Sequence, residues 1–190
     1  MAGTSGTVLA VDDDSDLRSL YRCWLAESHE VRTAADGVEA LRAVDETVDI
    51  VLLDREMPRR DGVDVAREVE RRDIDPAVVM ISGVEPGVDL LDIPVDDYLR
   101  KPVSAERVHR HVDRAAAVAD QPRPRRNLVS LDRRRQIVET SASKRALTGE
   151  PAYQSAADTL DRHSDILAAA RNTIPAAAEG ASRDRTDAAP

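Results

Sequence analysis

The sequence predicts an α/β fold, a doubly wound, five-stranded parallel sheet followed by a small helical segment. Three runs of strand length, residues 7–11, 49–53 and 77–81, are almost continuously apolar. Such runs are typical of parallel strands that helices cover on both faces. Amphipathic segments alternate with them up to residue 119, and five βα units of this size form an open sheet.

The remaining elements of this part are weaker. Two more polar runs, residues 29–34 and 96–100, suit strands nearer the edges of the sheet. Segments with apolar residues at helical spacing predict four helices, over residues 15–27, 37–46, 62–72 and 104–119. The only cysteine, Cys23, excludes an internal disulfide, and we expect it to be buried on the first helix as a small apolar residue.

The charge is divided unevenly along the chain. Residues 1–120 carry 27 acidic and 15 basic side chains, whereas residues 121–190 carry 9 acidic and 12 basic ones. Such asymmetry predicts two functional parts, and the prolines in QPRPRR forbid continuation of the preceding helix. The predicted divisions are an N-terminal tail at 1–6, an α/β domain at 7–119, a linker at 120–126, a helical segment at 127–174 and a disordered tail at 175–190.

The helical segment reads as two helices, over residues 127–147 and 152–174. Gly149 and Pro151 between them are the residue types that end one helix and begin the next. Apolar residues recur at seven-residue steps in the second helix: Tyr153, Leu160, Leu167 and Ile174. This narrow seam is typical of a coiled coil or a helical hairpin, so a homodimer through the C-terminal helices is one expectation.

The composition also limits where the protein works. No stretch of 18 apolar residues exists and aspartates come too early for a signal peptide, so we expect a cytoplasmic protein without a membrane contact. The four histidines lack zinc-like spacing. Lysine is scarce and phenylalanine absent in an acidic chain, which fits solubility in concentrated salt; a GC-rich genome would equally favour arginine.

Polar side chains follow four of the five predicted strands. They are Asp12, Asp13 and Asp14 after the first strand, Asp54 at the third, Ser82 at the fourth and Lys101 at the fifth. Because the carboxyl ends of parallel strands meet at one edge of the sheet, we expect these groups to converge. Clustered carboxylates repel one another unless a cation intervenes, and a hard divalent ion such as Mg2+ prefers oxygen ligands.

A lysine and a hydroxyl aimed at the same point would bind a phosphoryl group. The metal and the ammonium would neutralise the oxygens of that group, and positioning would supply the rest of the catalysis. One of the carboxylates could then act as nucleophile and form an acyl phosphate. The sequence therefore predicts phosphoryl transfer to a carboxylate.

Four segments closely resemble the receiver domain of bacterial and archaeal response regulators: VLAVDDD (8–14), IVLLDREMPRRDG (50–62), VVMISG (78–83) and DDYLRKP (96–102). The resemblance covers roughly residues 7–119. It implies a flavodoxin-like sheet, a sensor histidine kinase as partner, and Asp54 as the phosphoacceptor of a two-component system.

The resemblance also implies a Mg2+ site. Asp13 and Asp54 would ligate the ion directly and Asp12 would act through water. The main-chain carbonyl of Glu56 would complete the ligand set.

Four further residues receive roles from the same resemblance. Lys101 and Ser82 would bind the phosphoryl oxygens. Ser82 and Tyr98 would form the switch, with Ser82 moving toward the phosphoryl group and Tyr98 turning inward. Pro102, after a cis bond, would fix the direction of Lys101.

A second resemblance concerns the C-terminal part. Residues 83–96 are short for a fourth helix with its loops, as in the receivers of haloarchaeal regulators that carry a HalX domain. SASKRALTGEPAYQSAADTLDRH (141–163) is similar to the HalX pattern. This resemblance implies a halophilic archaeal source and an output in transcription regulation, with DNA as a partner.

The residues alone leave two interpretations of how the C-terminal part produces an output. The arginine-rich stretch at 121–145 could meet DNA phosphates, although no helix-turn-helix, zinc finger or winged pattern is visible and high salt would weaken the attraction. Alternatively, these arginines pair with acids of the receiver and the output acts through protein contacts.

Two other function classes remain as alternatives. Phosphatases with an aspartyl nucleophile need a second acid two residues later, where Glu56 stands, but their nucleophile follows the first strand. We therefore expect a phosphoacceptor and not an enzyme. A receiver could also act alone as a binding module or phosphate sink, with the tail serving dimerisation.

Overall fold

The computed structural model describes residues 6–72, 74–142, 144–171 and 173–174, and the predicted tail at 175–190 lies outside them. A five-stranded parallel sheet has the strand order β2-β1-β3-β4-β5. The strands are β1 Thr7–Val11, β2 Glu30–Ala34, β3 Ile50–Asp54, β4 Ala77–Ser82 and β5 Asp97–Arg100. The three apolar runs form the buried central strands β1, β3 and β4, as predicted.

Four helices flank this sheet: α1 Ser15–Leu25, α2 Gly37–Ala43, α3 Gly62–Arg71 and α4 Ala105–Ala119. Between β4 and β5 the chain forms only a 3-10 helix, Val88–Asp92, so the predicted shortening of the fourth helix is confirmed. No helix in the described part of the chain is long and apolar enough to cross a membrane. Cys23 is exposed. The expectation of a buried cysteine was wrong because α1 faces the core through Tyr21 and Leu25.

Side-chain caps begin each of these helices soon after a strand ends. Asp14, Asp36, Asp61 and Ser104 accept hydrogen bonds from main-chain N–H groups in the first turns of α1, α2, α3 and α4. These bonds satisfy N–H groups that a helix start leaves without partners. Early helix starts keep the loops short, so the carboxyl ends of the strands stay side by side.

The C-terminal helices are α5 Arg123–Ser141, α6 Lys144–Leu147, α7 Pro151–Arg162 and α8 Ser164–Arg171. Helix α5 begins inside the predicted linker 120–126. Pro122 stands directly before its first residue without a capping hydrogen bond, and Pro124 lies in its first turn, where a missing N–H costs nothing. The two prolines therefore end one helix and start the next.

Both helices predicted for this segment are interrupted. The one predicted over 127–147 stops at Ser141, because Ala142 is extended (φ −128°, ψ 152°), and α6 follows separately. The one predicted over 152–174 is divided at His163, which leaves the helical conformation (φ −120°, ψ 26°).

The two faces of the sheet carry separate cores. One face packs against α1 and α4 through residues such as Leu25 and Val112. The other packs against α2 and α3, and its core continues into the C-terminal helices through Ile137, Val138 and Tyr153. Helices α5 and α7 both contact the 3-10 helix. The C-terminal helices thus complete the face where a full fourth helix would lie.

The apolar residues that recur at seven-residue steps are packed within the chain itself. All four of these residues are buried: Tyr153, Leu160, Leu167 and Ile174. Tyr153 belongs to the core beneath the 3-10 helix, whereas the other three pack with Val118 and Val129. The helical-hairpin interpretation fits this arrangement, and a homodimer through these helices stays a prediction.

Buried ion pairs fasten α5 to the sheet. Asp96 and Asp97 are buried at the start of β5. Arg126 donates to both carboxylate oxygens of Asp96, at 3.0 and 2.8 Å, and to the carbonyl of Pro76 at 2.7 Å. Arg133 Nε donates to Asp97 Oδ1 at 2.7 Å. Two arginines of the arginine-rich stretch at 121–145 are therefore internal partners of receiver acids.

Asp97 also receives groups from α4. His111 Nδ1 lies 2.8 Å from its Oδ2, and Arg114 Nε lies 3.5 Å from the same oxygen. Burial alone would raise the pKa of Asp97, but the hydrogen bond to His111 and the charges of Arg133 and Arg114 lower it to about 2. Asp97 is therefore ionised at neutral pH, and a buried charge network joins β5, α4 and α5.

Replacing Arg126 with methionine keeps most of its volume and removes the buried cation. Since Asp96 would then be a buried charge without its partner, we expect the free energy of unfolding to fall by about 3–5 kcal/mol. Urea denaturation followed by circular dichroism measures it. Arg123→Met is the matched control, because its pair with Asp75 is half exposed on both sides and should contribute less than about 1 kcal/mol. Equal losses in the two variants would contradict a special role of the buried pairs.

Candidate functional site

Three carboxylates meet at the carboxyl ends of β1 and β3. Asp12, Asp13 and Asp54 each place one carboxylate oxygen within 4.8 Å of the other two. The strands are direct neighbours, with Val11 paired to Leu53. Asp12 and Asp54 are buried whereas Asp13 is exposed, so the cluster opens to solvent on one side. An all-oxygen set of this kind fits Mg2+, which takes one or two carboxylates and keeps several waters.

Lys101 bridges two of these carboxylates from the end of β5. Its Nζ donates to Asp12 Oδ2 at 2.9 Å and to Asp54 Oδ2 at 2.8 Å. The Lys101–Pro102 peptide bond is cis, as the resemblance implied. Burial alone would lower the pKa of Lys101, but the hydrogen bonds to Asp54 and Asp12 raise it above its usual value. The site therefore holds a fixed positive charge beside Asp54.

Asp54, a candidate nucleophile, is a buried carboxylate at the end of β3. Burial raises the pKa of its carboxyl, and the charge of Asp12 adds to the rise while Lys101 opposes it. Its Oδ1 accepts a hydrogen bond from the Glu56 N–H at 3.3 Å, so the chain turns directly after β3. The side chain of Glu56 is exposed, and the metal role of its carbonyl stays a prediction.

The segment 50–62 ends with the pair Asp61 and Gly62, and the structure shows why glycine stands at position 62. A Cβ at this position would lie 2.2 Å from the carbonyl oxygen of Asp54. The Gly62 N–H also donates to the carbonyl of Arg55 at 2.9 Å. Only glycine lets the start of α3 approach the loop that carries Asp54 this closely.

Ser82 and Tyr98 are connected through one residue of the loop after β4. Ser82 is fully buried, and its Oγ accepts a hydrogen bond from the Val84 N–H at 3.0 Å. The Tyr98 hydroxyl donates to the carbonyl of Val84 at 2.7 Å, and its ring is buried in the core. The structure thus has Tyr98 in the inward orientation that the resemblance associates with the switched state.

Sequence reasoning missed two residues of α1. Arg18 Nη1 donates to the carbonyl of Asp12 at 2.6 Å. Tyr21 is buried, and burial together with Asp12 and Asp54 raises the pKa of its hydroxyl. In the sequence, Tyr21 stands among leucines on the apolar face of α1, and this pattern predicts only a place in the hydrophobic core. The Tyr21 ring packs edge-on against Trp24, with ring centroids 6.0 Å apart. The only tryptophan of the chain is thus in contact with a residue that lies near the acidic cluster.

Comparison with protein families agrees with this geometry. Residues 8–113 match the profile of the response regulator receiver domain. The chain belongs to this family. The sheet order, the carboxylate cluster and the Lys101–Pro102 cis bond all lie within the matched residues, and the C-terminal helices α5 to α8 lie beyond them.

Curated relatives share this receiver part. A Haloferax volcanii protein, provisionally named a transcriptional regulator, is 49% identical over 107 residues, which cover 56% of this chain and 18% of that protein. The transcriptional regulatory protein PrrA of Mycobacterium tuberculosis is 46% identical over 113 residues, with 56% and 48% covered. The chain therefore spans less than half the length of these relatives.

Solved structures show the same fold. The response regulator TrrA of Thermotoga maritima, solved in complex with Mg2+ and BeF, is 29% identical with a TM-score of 0.52 and covers 58% of this chain and 98% of that chain. A CheY-like receiver from Methanospirillum hungatei has a TM-score of 0.57 at 22% identity, with 60% and 96% covered.

We expect Asp13→Asn to weaken Mg2+ binding about tenfold or more, because the substitution removes an anionic ligand from an oxygen site. Titration of Mg2+ followed by the fluorescence of Trp24 measures the affinity. Asp14→Asn is the matched control. Asp14 caps α1 through the N–H groups of Asp16 and Leu17, and asparagine caps equally well. A similar loss in both variants would mean that general negative charge, and not ligation, attracts the ion.

Proposed function

We propose that this receiver accepts a phosphoryl group on Asp54 from a sensor histidine kinase and thereby switches its C-terminal helices. The observation that carries the proposal is the position of Lys101 Nζ, 2.9 Å from Asp12 and 2.8 Å from Asp54. A nucleophilic carboxylate, a metal-binding cluster and a cation for phosphoryl oxygens coincide there.

Each residue of the site has its own role in this reaction. Asp12, Asp13 and Asp54, with the Glu56 carbonyl, would hold Mg2+, which when bound neutralises charge on the phosphoryl oxygens. An oxygen of Asp54 forms the bond to phosphorus as the bond to the kinase histidine breaks. Lys101 then binds a phosphoryl oxygen in place of one of its two present carboxylate partners, and the Ser82 hydroxyl donates to another phosphoryl oxygen.

We propose a phosphoacceptor role and not turnover of phosphate esters. Asp54 ends the third strand of the chain, whereas aspartyl phosphatases have their nucleophile after the first. The side chain of Glu56 is exposed to solvent, and it is the main-chain N–H of this residue that donates to Asp54 Oδ1.

Acetyl phosphate with Mg2+ tests the proposal on the full chain. Wild type should gain one phosphoryl group, and Asp54→Asn should gain none, as read by intact mass. Asp61→Asn is a useful control because Asp61 only caps α3. Phosphorylation of Asp54→Asn, or failure of wild type, would refute the assignment.

The contacts of α5 favour an output through protein contacts over one through DNA. Arg126 and Arg133 bind Asp96 and Asp97, and Arg134 donates to the carbonyl of Ile93. Buried or engaged arginines cannot reach the phosphates of a duplex without undocking the helix.

The outward side of α7 and α8 supports the same preference. Asp158, Asp161 and Asp165 are exposed there, with Arg162 as a neighbouring cation. An acidic surface repels a DNA backbone. A role in transcription, which the names of the relatives suggest, would then proceed through a protein partner, and the HalX assignment stays a prediction.

Fluorescence anisotropy with a mixed-sequence duplex tests this preference, with and without BeF3− as a phosphoryl analogue. We expect no binding, or a plot of log affinity against log salt with a slope weaker than about −2, because Arg126, Arg133 and Arg134 of α5 are engaged by the receiver. A slope near −6 in either state would indicate about six or more phosphate contacts and would overturn the preference.

A further inference from the structure

Arg55 follows Asp54 directly and reaches across to the segment beyond β4. Its Nη2 donates to Asp89 Oδ2 at 2.6 Å. The Arg55 side chain is only 21% exposed, whereas that of Asp89 is 54% exposed. The pair joins the loop of the phosphoacceptor to the 3-10 helix, 34 residues later in the chain.

The loop between Ser82 and the 3-10 helix, residues 83–87, has open space beside its first residue and the Asp89 side chain beside its last. A Cβ on Gly83 would meet nothing within 4 Å. At the other end, a Cβ on Gly87 would lie 2.8 Å from Asp89 Oδ1, so the Asp89 side chain folds back against the loop. Asp89 therefore links Arg55 to the end of this loop.

Arg55 also lies beside the switch tyrosine. Its Nη1 is buried and has no hydrogen-bond partner among the described residues. Burial alone would lower the pKa of Arg55, but the hydrogen bond to Asp89 raises it, and the nearby Tyr98 hydroxyl adds to the rise. Tyr98 in turn donates to the carbonyl of Val84, the second residue of the loop. Arg55 thus contacts the end of the loop through Asp89 and lies near the tyrosine that binds Val84.

We propose that Arg55 is a positioning residue for the phosphoryl group on Asp54. Its ion pair with Asp89 holds residues 83–87 and Tyr98 in the arrangement in which the Ser82 hydroxyl meets a phosphoryl oxygen. The inference rests on the proposed function of Asp54. Breaking the pair leaves Asp12, Asp13 and Lys101 in place, so metal binding is preserved while binding of the phosphoryl group weakens.

Simple charge attraction by Arg55 gives a different expectation. If the guanidinium acted only as a cation near Asp54, removing the acid at position 89 would increase the local positive charge. The affinity for an anion would then rise in Asp89→Asn. If the ion pair positions the loop, the same substitution lowers the affinity. Whether the affinity of Asp89→Asn for the anion rises or falls therefore distinguishes the two explanations.

BeF3− titration in saturating Mg2+ tests the proposal on the full chain, with Trp24 fluorescence as the readout. A partly exposed pair contributes up to about 1 kcal/mol, so Arg55→Gln and Asp89→Asn should each bind BeF3− about three- to five-fold more weakly than wild type. The double variant should lose no more than either single one, since both remove the same pair. The affinity for Mg2+ alone should be unchanged in all three.

Arg100→Gln is the matched control. Arg100 Nη1 lies 3.4 Å from Glu85 Oε1 in the same loop, and both side chains are more than half exposed. This variant should bind BeF3− like wild type. Tighter or unchanged binding by Asp89→Asn, or an equal loss in Arg100→Gln, would overturn the proposal. Absence of BeF3− binding by wild type would instead refute the proposed function of Asp54.

Discussion

The bridge that Lys101 makes between Asp12 and Asp54 is the interaction on which the site depends. Two buried carboxylates on neighbouring strands would repel each other, and the ammonium group offsets that repulsion while it ties β5 to β1 and β3. The opposite end of β5 is fixed as well, because Asp97 at its start binds Arg133 and His111. A strand of four residues is therefore held by charge at both ends.

The acidic site could be predicted from the sequence because its chemistry follows from strand order. Apolar runs locate the strands, and the residues directly after them must converge at one edge in a parallel sheet. The buried pairs of Asp96 with Arg126 and of Asp97 with Arg133 could not be found in this way. Charged residues are mostly exposed, and whether one is buried depends on a partner about thirty residues distant that the local pattern does not show.

Tyr98 brings the site and the C-terminal helices into one core. Its ring belongs to the cluster that also contains Ile137 and Tyr153, while its hydroxyl reaches the loop of Ser82. A movement of Tyr98 would therefore disturb the hydrophobic cluster that it shares with α5 and α7. Only three residues, 120–122, separate α4 from α5, and Arg126 and Val129 are already buried in the first turns of α5. The break at His163 escaped the sequence pattern because the apolar spacing continues across it.

Docking of α5 on the receiver also limits how this protein can exchange parts with others. A receiver that is followed by a flexible linker can be joined to many different output domains, since such a linker makes no specific contacts with the receiver. Here Asp96 and Asp97 lie in the receiver while their arginine partners lie in the following segment. A recombination event after residue 119 would leave two interior anions with only part of their counter-charge. The receiver and its tail should therefore be inherited as one unit.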